Sequence, residues 1–373
     1  MSTTPAETPV ARVAIVGCGV ISRAYAHTMR KLGFIDLAAC VDAAPGRAEE
    51  IANEFGAEAS TFEAVLEDPT IDAVVNLTPP LAHAAVVGAV LEAGKAAFSE
   101  KPLGVDFEQG TALVDLAKAA GLRLGCAPDT FLGAGLQTAR AVIDRGDIGE
   151  PLAANAFMLG SGPERWHPSP ALFYQPGAGP LLDMGPYYFT ALVQLLGPAR
   201  AISASARVSR AQRPILSEPL RGRLIDVEVP THVASLVEFE SGPIATLVTS
   251  FDVQASRYRN IEVYGTEATL SVPDPNTFGG PLMIRRSGDE EWNEIDLLPA
   301  HLPQQRGIGF ADMMWALRTG RAHRTSGALA LHVLELMTGA LTAAAEGRRV
   351  DLRTTCERSE PLPIGLPANT FDV

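Results

Sequence analysis

One run near the N-terminus limits the fold more than any other: RVAIVGCGVISRAYAHTMRKLG, residues 12–33. An apolar, β-rich segment passes without a linker into two glycines one residue apart, and the residues beyond them have helical periodicity. Gly17 permits a tight turn, Gly19 lets the backbone approach a pyrophosphate, and small Ser22 lets the helix pack closely on a sheet. The helix entrance, where Val20 and Ile21 stand, offers amide donors to an anion. Such a glycine pattern arises by chance when it stands alone. Here it follows a strand, opens a helix, and is followed by Asp42 at the end of a second apolar run, DLAACVD. That context predicts a dinucleotide site with Gly17, Gly19, Val20, Ile21 and Asp42 as cofactor residues. A carboxylate at this strand end accepts hydrogen bonds from a ribose diol and repels a 2′-phosphate, so Asp42 favours NAD, with NADP as the alternative. Arg47 is close in sequence and reads as a solvated helix cation.

The same alternation continues through the first 127 residues. Short β-rich runs (DAVVNLT, AAFSE, LRLGCA) are separated by helical stretches such as LAHAAVVGAVLEAG. Strands alternating with helices of that length imply βαβ units, and right-handed crossovers then give a doubly wound parallel sheet. After residue 150 the rhythm changes. AISASARVSR, THVASLVEFE, IATLVTSFDV, RNIEVYG, ATLSVPD and LMIRRSG follow one another with only turns between them. The series predicts an antiparallel meander, with hairpin connections at 241–242, 265–266 and 287–289. A chain of 373 residues exceeds one typical core, so two domains are expected, 1–128 and 129–373, with a cleft between them. The helical segment 131–145 carries the chain across, and segments 306–319 and 327–345 predict two helices that return to one of the units. The first ten residues read as a disordered tail.

The formal net charge is −13, and no local run of Lys or Arg offsets it. This excludes nucleic acid as an expected partner. No apolar run of about 18 residues and no charged-then-apolar leader is readable, so no membrane span is expected and the default compartment is the cytoplasm. The four cysteines, at 18, 40, 126 and 356, share no CxxC spacing. Buried free thiols are the expectation, not disulfides or a structural zinc, and no metal site is predicted.

Other candidates for chemistry sit at the carboxyl edge of the predicted sheet, where ligands of open α/β folds bind. Thr78, Pro79 and Pro80 end one strand and turn at once. His83 opens the next helix, either capping the turn or lying near the cofactor. The strand AAFSE delivers Glu100, Lys101 and Pro102 to the same edge, the lysine aimed at the cleft and the acid able to hold a ribose or the lysine. In the second half, the segment GPERWHPSPALFYQPGAGPLLDMGPYYFTALVQLLG holds the densest cluster of aromatic, His and Gly residues. If 183–187 is helical, Asp183 and Tyr187 share one face at i and i+4. If Pro186 instead begins the helix, Asp183 belongs to a turn before it. Either arrangement makes the carboxylate and the phenol neighbours, and a purely structural reading makes them a helix-entry residue and an interface aromatic.

In this order, GCGVIS, the TPP…H turn, EKP, GDIGEP and GAGPLLDMGPYY resemble the glucose–fructose oxidoreductase, inositol dehydrogenase and rhizopine-catabolism (Gfo/Idh/MocA) oxidoreductases. The C-terminal segment from RGIGFADMMWALRTG to LELMTGAL is similar to theirs too. The resemblance implies an α/β fold with an N-terminal Rossmann domain and a C-terminal α+β domain on an open, mostly antiparallel sheet. It also implies a nicotinamide cofactor, a sugar, inositol or other polyol substrate, and a homodimer or homotetramer. Residue by residue, Lys101 matches the catalytic lysine of the family's EKP motif and Asp183 the aspartate of its DxGxH motif. Tyr187 stands where inositol dehydrogenase-like members have a histidine. Relatives of the glucose–fructose oxidoreductase and dihydrodiol dehydrogenase types use a tyrosine, so the substitution is similar to a known variant.

Hydride transfer to or from a carbinol carbon needs a proton moved at the oxygen. A phenol is a poor base near neutrality, but an ammonium favours the phenolate. The expected roles are therefore Tyr187 as proton carrier, Lys101 as ligand of the reacting oxygen, and Asp183 as anchor of substrate hydroxyls. His167 competes for the proton, because imidazole titrates nearer pH 7. Trp166 and Phe173 would then form a wall for an apolar sugar face. Two other functions stand beside this one: an NAD(P)-binding sensor or assembly subunit without turnover, and, as the resemblance implies, the family's redox-assisted, NAD-dependent glycosidase variant.

Overall fold

The computed structural model describes residues 11–298, 306–363 and 371. The tail expected at residues 1–10 lies outside the described residues. Two compact units divide the chain: 1–129 with 300–330 and 362–373, and 130–299 with 331–361. Residues 306–330, 362–363 and 371 group with the first unit.

The first unit is built on six strands: β1 (Ala11–Val16), β2 (Ile35–Val41), β3 (Glu58–Ala59), β4 (Ala73–Asn76), β5 (Ala96–Ser99) and β6 (Leu124–Cys126). They pair in the order β3-β2-β1-β4-β5-β6, every pair parallel. Chain order reverses on either side of β1, and this switch point opens the loops after β1 and β4 away from each other, as in dinucleotide-binding Rossmann sheets. The helices α1 (Ser22–Leu32), α2 (Arg47–Phe55), α3 (Phe62–Glu67), α4 (His83–Glu92) and α5 (Phe107–Ala120) make the crossovers. Val13, Ala14 and Ile15 are all fully buried, because a parallel strand is covered on both faces. Helix α1 buries Tyr25, Ala26, Met29 and Leu32 at helical spacing, and Gly33 ends it with φ +63°, a conformation glycine adopts without strain. Burial of one such large side chain contributes about 1.5–3 kcal/mol, so Ile15→Asp would break this core.

The second unit opens with α6 (Ala134–Asp144) and β7 (Pro151–Leu159), followed by α7 (Gly179–Leu196), β8 (Ala199–Arg207), the short pair β9 (Gln212–Pro214) and β10 (Leu224–Asp226), and β11 (His232–Phe239). Next come β12 (Ile244–Ser250), β13 (Ile261–Gly265), β14 (Ala268–Val272), β15 (Leu282–Arg286) and β16 (Asn293–Ile295). Then α8 (Ile308–Thr319) lies in the first unit, α9 (Gly327–Glu346) crosses the division, and β17 (Val350–Asp351) returns to the second. Nine strands form one sheet in the order β16-β15-β14-β13-β7-β12-β11-β8-β17. Helix α7 packs on β7, β11 and β12.

The expected meander is corrected at one place. Strand β7 inserts between β12 and β13 and runs parallel to β12. Its sequence, PLAANAFML, contains no β-branched residue and only Phe157 among strand-favouring types, so little local signal marks it as the centre of the sheet. The hairpin turns at 241–242 and 287–289 do join β11 to β12 and β15 to β16, with Gly242 at φ +111° and Gly288 at φ +92°. Among the described residues, α9 is long and apolar enough by length and composition to cross a membrane, and 61% of its apolar window is buried within the protein. The expectation of no such apolar run is thereby corrected.

Candidate active site

The turn after β1 is fixed by its neighbours. Gly17 has φ +99°, and a Cβ there would lie 2.6 Å from the carbonyl carbon of Leu77 and 2.7 Å from the amide of Thr78. No side chain fits. Gly19 differs, since a Cβ on it would meet nothing within 4 Å. The open space before its Cα is the cradle that a pyrophosphate needs. Val20, beside it, is 95% exposed, and Ile21 precedes the first residue of α1. Ser22 is buried and its hydroxyl donates to the Gly19 carbonyl at 2.6 Å. Asp42 accepts from the Cys18 amide at 2.7 Å and from the Ala44 amide at 2.7 Å. The carboxylate therefore ties the glycine turn to the loop after β2. Arg47 begins α2 in an exposed position. A dinucleotide fits these residues.

At the ends of β4 and β5, buried Asn76 organises the edge. Its Oδ1 accepts from the Thr78 amide at 3.2 Å and the Thr78 hydroxyl at 2.6 Å, while its Nδ2 donates to Ser99 Oγ at 3.2 Å. Pro79 is exposed and leads into a single turn at Pro80–Ala82. Glu100 accepts from Tyr25 Oη at 2.8 Å and from the Lys101 amide at 3.1 Å, so both of its oxygens hold the turn that presents Lys101. His83 is 1% exposed, with Nδ1 2.7 Å from the Pro102 carbonyl and Nε2 2.8 Å from the Thr78 carbonyl. The structure thus brings Thr78, His83, Glu100 and Lys101 to one edge of the first unit's sheet.

In the second unit, α7 spans Asp183 and Tyr187, which stand one turn apart at i and i+4. Pro186 lies inside the helix, and Pro180, near its start, takes the position that the alternative reading gave to Pro186. Sixteen of the helix's 18 residues are buried; Asp183 and Met184 are the two that are not. Tyr188 is 1% exposed, accepts from Asn260 Nδ2 at 2.9 Å and donates to the Phe157 carbonyl at 3.2 Å. Burial raises its phenol well above the ordinary value, which fixes it as a neutral packing group. Trp166, His167 and Phe173 form a triangle, with ring centroids 5.3, 6.2 and 4.9 Å apart. Trp166 is 68% exposed, and His167 Nδ1 accepts from the Ser169 amide at 3.0 Å.

Several supporting groups carry no sequence signal. Arg213, 5% exposed, donates to Glu164 through Nε, to Asp252 at 2.5 Å, and to the carbonyls of Ser161 and Phe251 at 2.9 Å. This knot fixes the loop that leads to Trp166. In the first unit, fully buried Asp129 accepts from the amides of Gly307 and Gly309 at 2.7 and 3.1 Å and caps α8. Burial pushes its carboxyl up to about 6. The four thiols at 18, 40, 126 and 356 are buried.

Residues 11–127 match the model of an oxidoreductase family with an NAD-binding Rossmann fold, and residues 136–271 match the GFO/IDH/MocA C-terminal domain. The chain is 29% identical over 273 residues to scyllo-inositol 2-dehydrogenase (NAD(+)) of Bacillus subtilis, covering 70% of this chain and 73% of the relative. It is 33% identical over 288 residues to dTDP-3,4-didehydro-2,6-dideoxy-alpha-D-glucose 3-reductase of Saccharopolyspora spinosa, covering 74% and 80% respectively. An NAD binding oxidoreductase from Klebsiella pneumoniae has a similar fold, with TM-score 0.78 and 24% identity over 92% of this chain and 99% of that one.

Proposed function

The chain belongs to the Gfo/Idh/MocA family of NAD-binding oxidoreductases, and from that premise we propose that it oxidises or reduces a carbinol carbon of a neutral inositol or sugar. One observation carries the reading. Helix α7 is buried almost throughout yet keeps a carboxylate, Asp183, at one of its two incompletely buried positions, one turn before Tyr187. A carboxylate at such a position is an acceptor of two or more hydrogen bonds, and polyol hydroxyls are the donors it binds.

Gly17, Gly19, Val20 and Ile21 would hold the pyrophosphate, Asp42 the adenosine ribose, and Thr78, Pro79 and Glu100 the nicotinamide half. NAD is favoured over NADP because Asp42 would repel a 2′-phosphate. The cofactor supplies a hydride acceptor or donor when bound. Lys101 holds the reacting oxygen and stabilises the negative charge that develops on it. Tyr187 takes the hydroxyl proton in oxidation and returns it in reduction. Asp183 orients the substrate through hydroxyl hydrogen bonds, and Trp166 offers an aromatic face to the sugar's apolar side, beside His167. The relatives that act on an inositol and on a deoxysugar support this substrate class.

A cytoplasmic homodimer or homotetramer completes the reading. Leu236 and Ile244, 45% and 46% exposed, lie on the outward side of β11 and β12 together with Glu238, Thr246 and Val248, a mixed face that a second copy would cover. The decisive experiment is NAD titration followed by an absorbance screen at the nicotinamide band across inositols and free sugars. Steady NADH formation with wild type, lost in Tyr187→Phe at unchanged thermal stability, is expected. Unchanged turnover in Tyr187→Phe refutes the proton assignment. Hydrolysis of an aryl glycoside without net NADH would indicate the glycosidase reaction, and NAD binding without turnover of any substrate the sensor.

A further inference from the structure

His83 faces two acceptors and no donor. Its Nδ1 lies 2.7 Å from the Pro102 carbonyl and its Nε2 2.8 Å from the Thr78 carbonyl. A carbonyl oxygen only accepts, and a neutral imidazole has one N–H and one lone pair. Both contacts are hydrogen bonds only when the ring carries two protons. In the neutral ring, one nitrogen lone pair confronts a carbonyl lone pair at hydrogen-bond distance, and a buried acceptor loses its donor.

The two carbonyls belong to the two turns proposed to hold the nicotinamide half and the reacting oxygen. Thr78 ends the β4 loop, and Pro102 directly follows Lys101. With both ring nitrogens occupied and only 1% of its surface exposed, His83 stands behind this edge, so its place among the cofactor ligands is replaced by another role. Resting on the proposed function for Lys101, we infer that His83 is a positioning residue that straps the Thr78 turn to the Lys101–Pro102 turn through both ring N–H groups, and that loss of the second proton loosens Lys101.

The charged groups that act on the ring are the Glu100 carboxylate, which favours the second proton, and the Lys101 ammonium, which opposes it. Asn76 and Thr78 on the β4 side bring no charge. Burial lowers the ring's proton affinity from the ordinary histidine value, while the bonds to Pro102 and Thr78 raise it. The second proton is therefore present at low pH and is lost as pH rises through a value below the usual one for histidine. Above it, one of the two straps is gone.

Two isosteric variants separate the straps. The side-chain amide of His83→Asn takes the place of Nδ1 and keeps a donor toward Pro102, whereas that of His83→Gln takes the place of Nε2 and keeps the donor toward Thr78. Neither titrates. Turnover of the inositol or sugar identified by the screen is expected to fall more in His83→Gln than in His83→Asn. The ratio of wild-type to His83→Asn kcat is expected to shrink from about tenfold below the pH at which the ring loses its second proton to about threefold above it, because a displaced catalytic group costs rate without loss of binding. The NAD dissociation constant stays within about twofold of wild type. A ratio flat across that range, or NAD affinity falling by as much as kcat, overturns the strap.

A second readout needs no substrate. In the full chain with 15N-labelled histidine titrated downward from about pH 8, the His83 ring is expected to carry one proton near pH 8 and to gain the second below the ordinary histidine range, with the other histidines assigned by difference. A ring that carries a single proton down to the lowest pH at which the chain stays folded overturns the inference. A doubly protonated ring in a protein that turns over none of the substrates upholds the strap and refutes the proposed function instead.

Discussion

Gly17 and Gly19 stand one residue apart in the same fingerprint, yet the structure assigns them opposite consequences. In Gly17→Ala the new Cβ would lie 2.6 Å from Leu77 C and 2.7 Å from Thr78 N, both backbone atoms at the end of β4, with φ at +99°. A non-glycine residue in that conformation costs about 1–3 kcal/mol. Overpacking against backbone that cannot rotate away adds about 1–3 kcal/mol more. The expected loss is about 2–6 kcal/mol, or roughly 3–8 °C in the melting temperature for a protein of this size. Gly19→Ala meets no atom within 4 Å and should melt with wild type or slightly above it, because alanine narrows the unfolded ensemble. Its methyl would instead occupy the pyrophosphate's place and remove one or two amide-to-phosphate bonds of about 1.5–3 kcal/mol each. That corresponds to roughly 10- to 100-fold or more in the NAD dissociation constant. Scanning calorimetry and fluorescence titration with NADH on both variants test the pair. Wild-type affinity in Gly19→Ala would refute the assignment of this turn to the pyrophosphate, and an unchanged melting temperature in Gly17→Ala would refute the packing argument.

Three further outcomes follow from single side chains. Asp129→Asn keeps an acceptor for the Gly307 and Gly309 amides while removing a carboxyl whose folded-state pKa is raised to about 6 by burial. A raised carboxyl contributes stability that is present at low pH and lost as pH rises through about 4 to 6, so this variant should flatten that part of the stability profile and gain about 2–3 kcal/mol near pH 8 in urea unfolding. Tyr188→Phe removes a phenol held between Asn260 and the Phe157 carbonyl. It should cost about 1–2 kcal/mol of stability with turnover retained, the reverse of Tyr187→Phe. Arg213→Met strands the buried Glu164 carboxylate beside the half-buried Asp252 and should destabilise the second unit by about 3–5 kcal/mol, measured by the same unfolding curves.

The first unit was legible because five of its six strands carry their own signal, whereas β3, two exposed residues, carries none. RVAIVG, DLAACVD, DAVVNLT and AAFSE are apolar runs punctuated by turn residues, and parallel strands buried on both faces demand that composition. Asp42 and Lys101 were readable for the same reason, since strand ends project to the ligand-binding edge whatever the sequence between them. The second unit was readable only where β-branched residues concentrate. β7 lies at the centre of its sheet without one, because small Ala154 and Ala156 suit a strand covered by a helix, and its pairing is decided by partners near residues 244 and 261. Helix α7 resolved the ambiguity at Pro186 through tertiary packing that outweighs the missing N–H.

The supporting groups escaped for a different reason, which is distance along the chain. Arg213 meets Glu164 and Asp252 across 49 and 39 residues, and Asp129 caps a helix that begins 179 residues later at Ile308. A local pattern marks which residues face a ligand; it does not mark which ones hold those residues still. His83 shows where the two kinds of information meet. Its position at the start of α4 drew attention to it as either a cap or a cofactor contact, and periodicity had no means to choose. The choice came from the two carbonyls that the fold places against its ring, because acceptors on both sides leave neither nitrogen for a ligand and convert a candidate contact into a device that holds Lys101 in register.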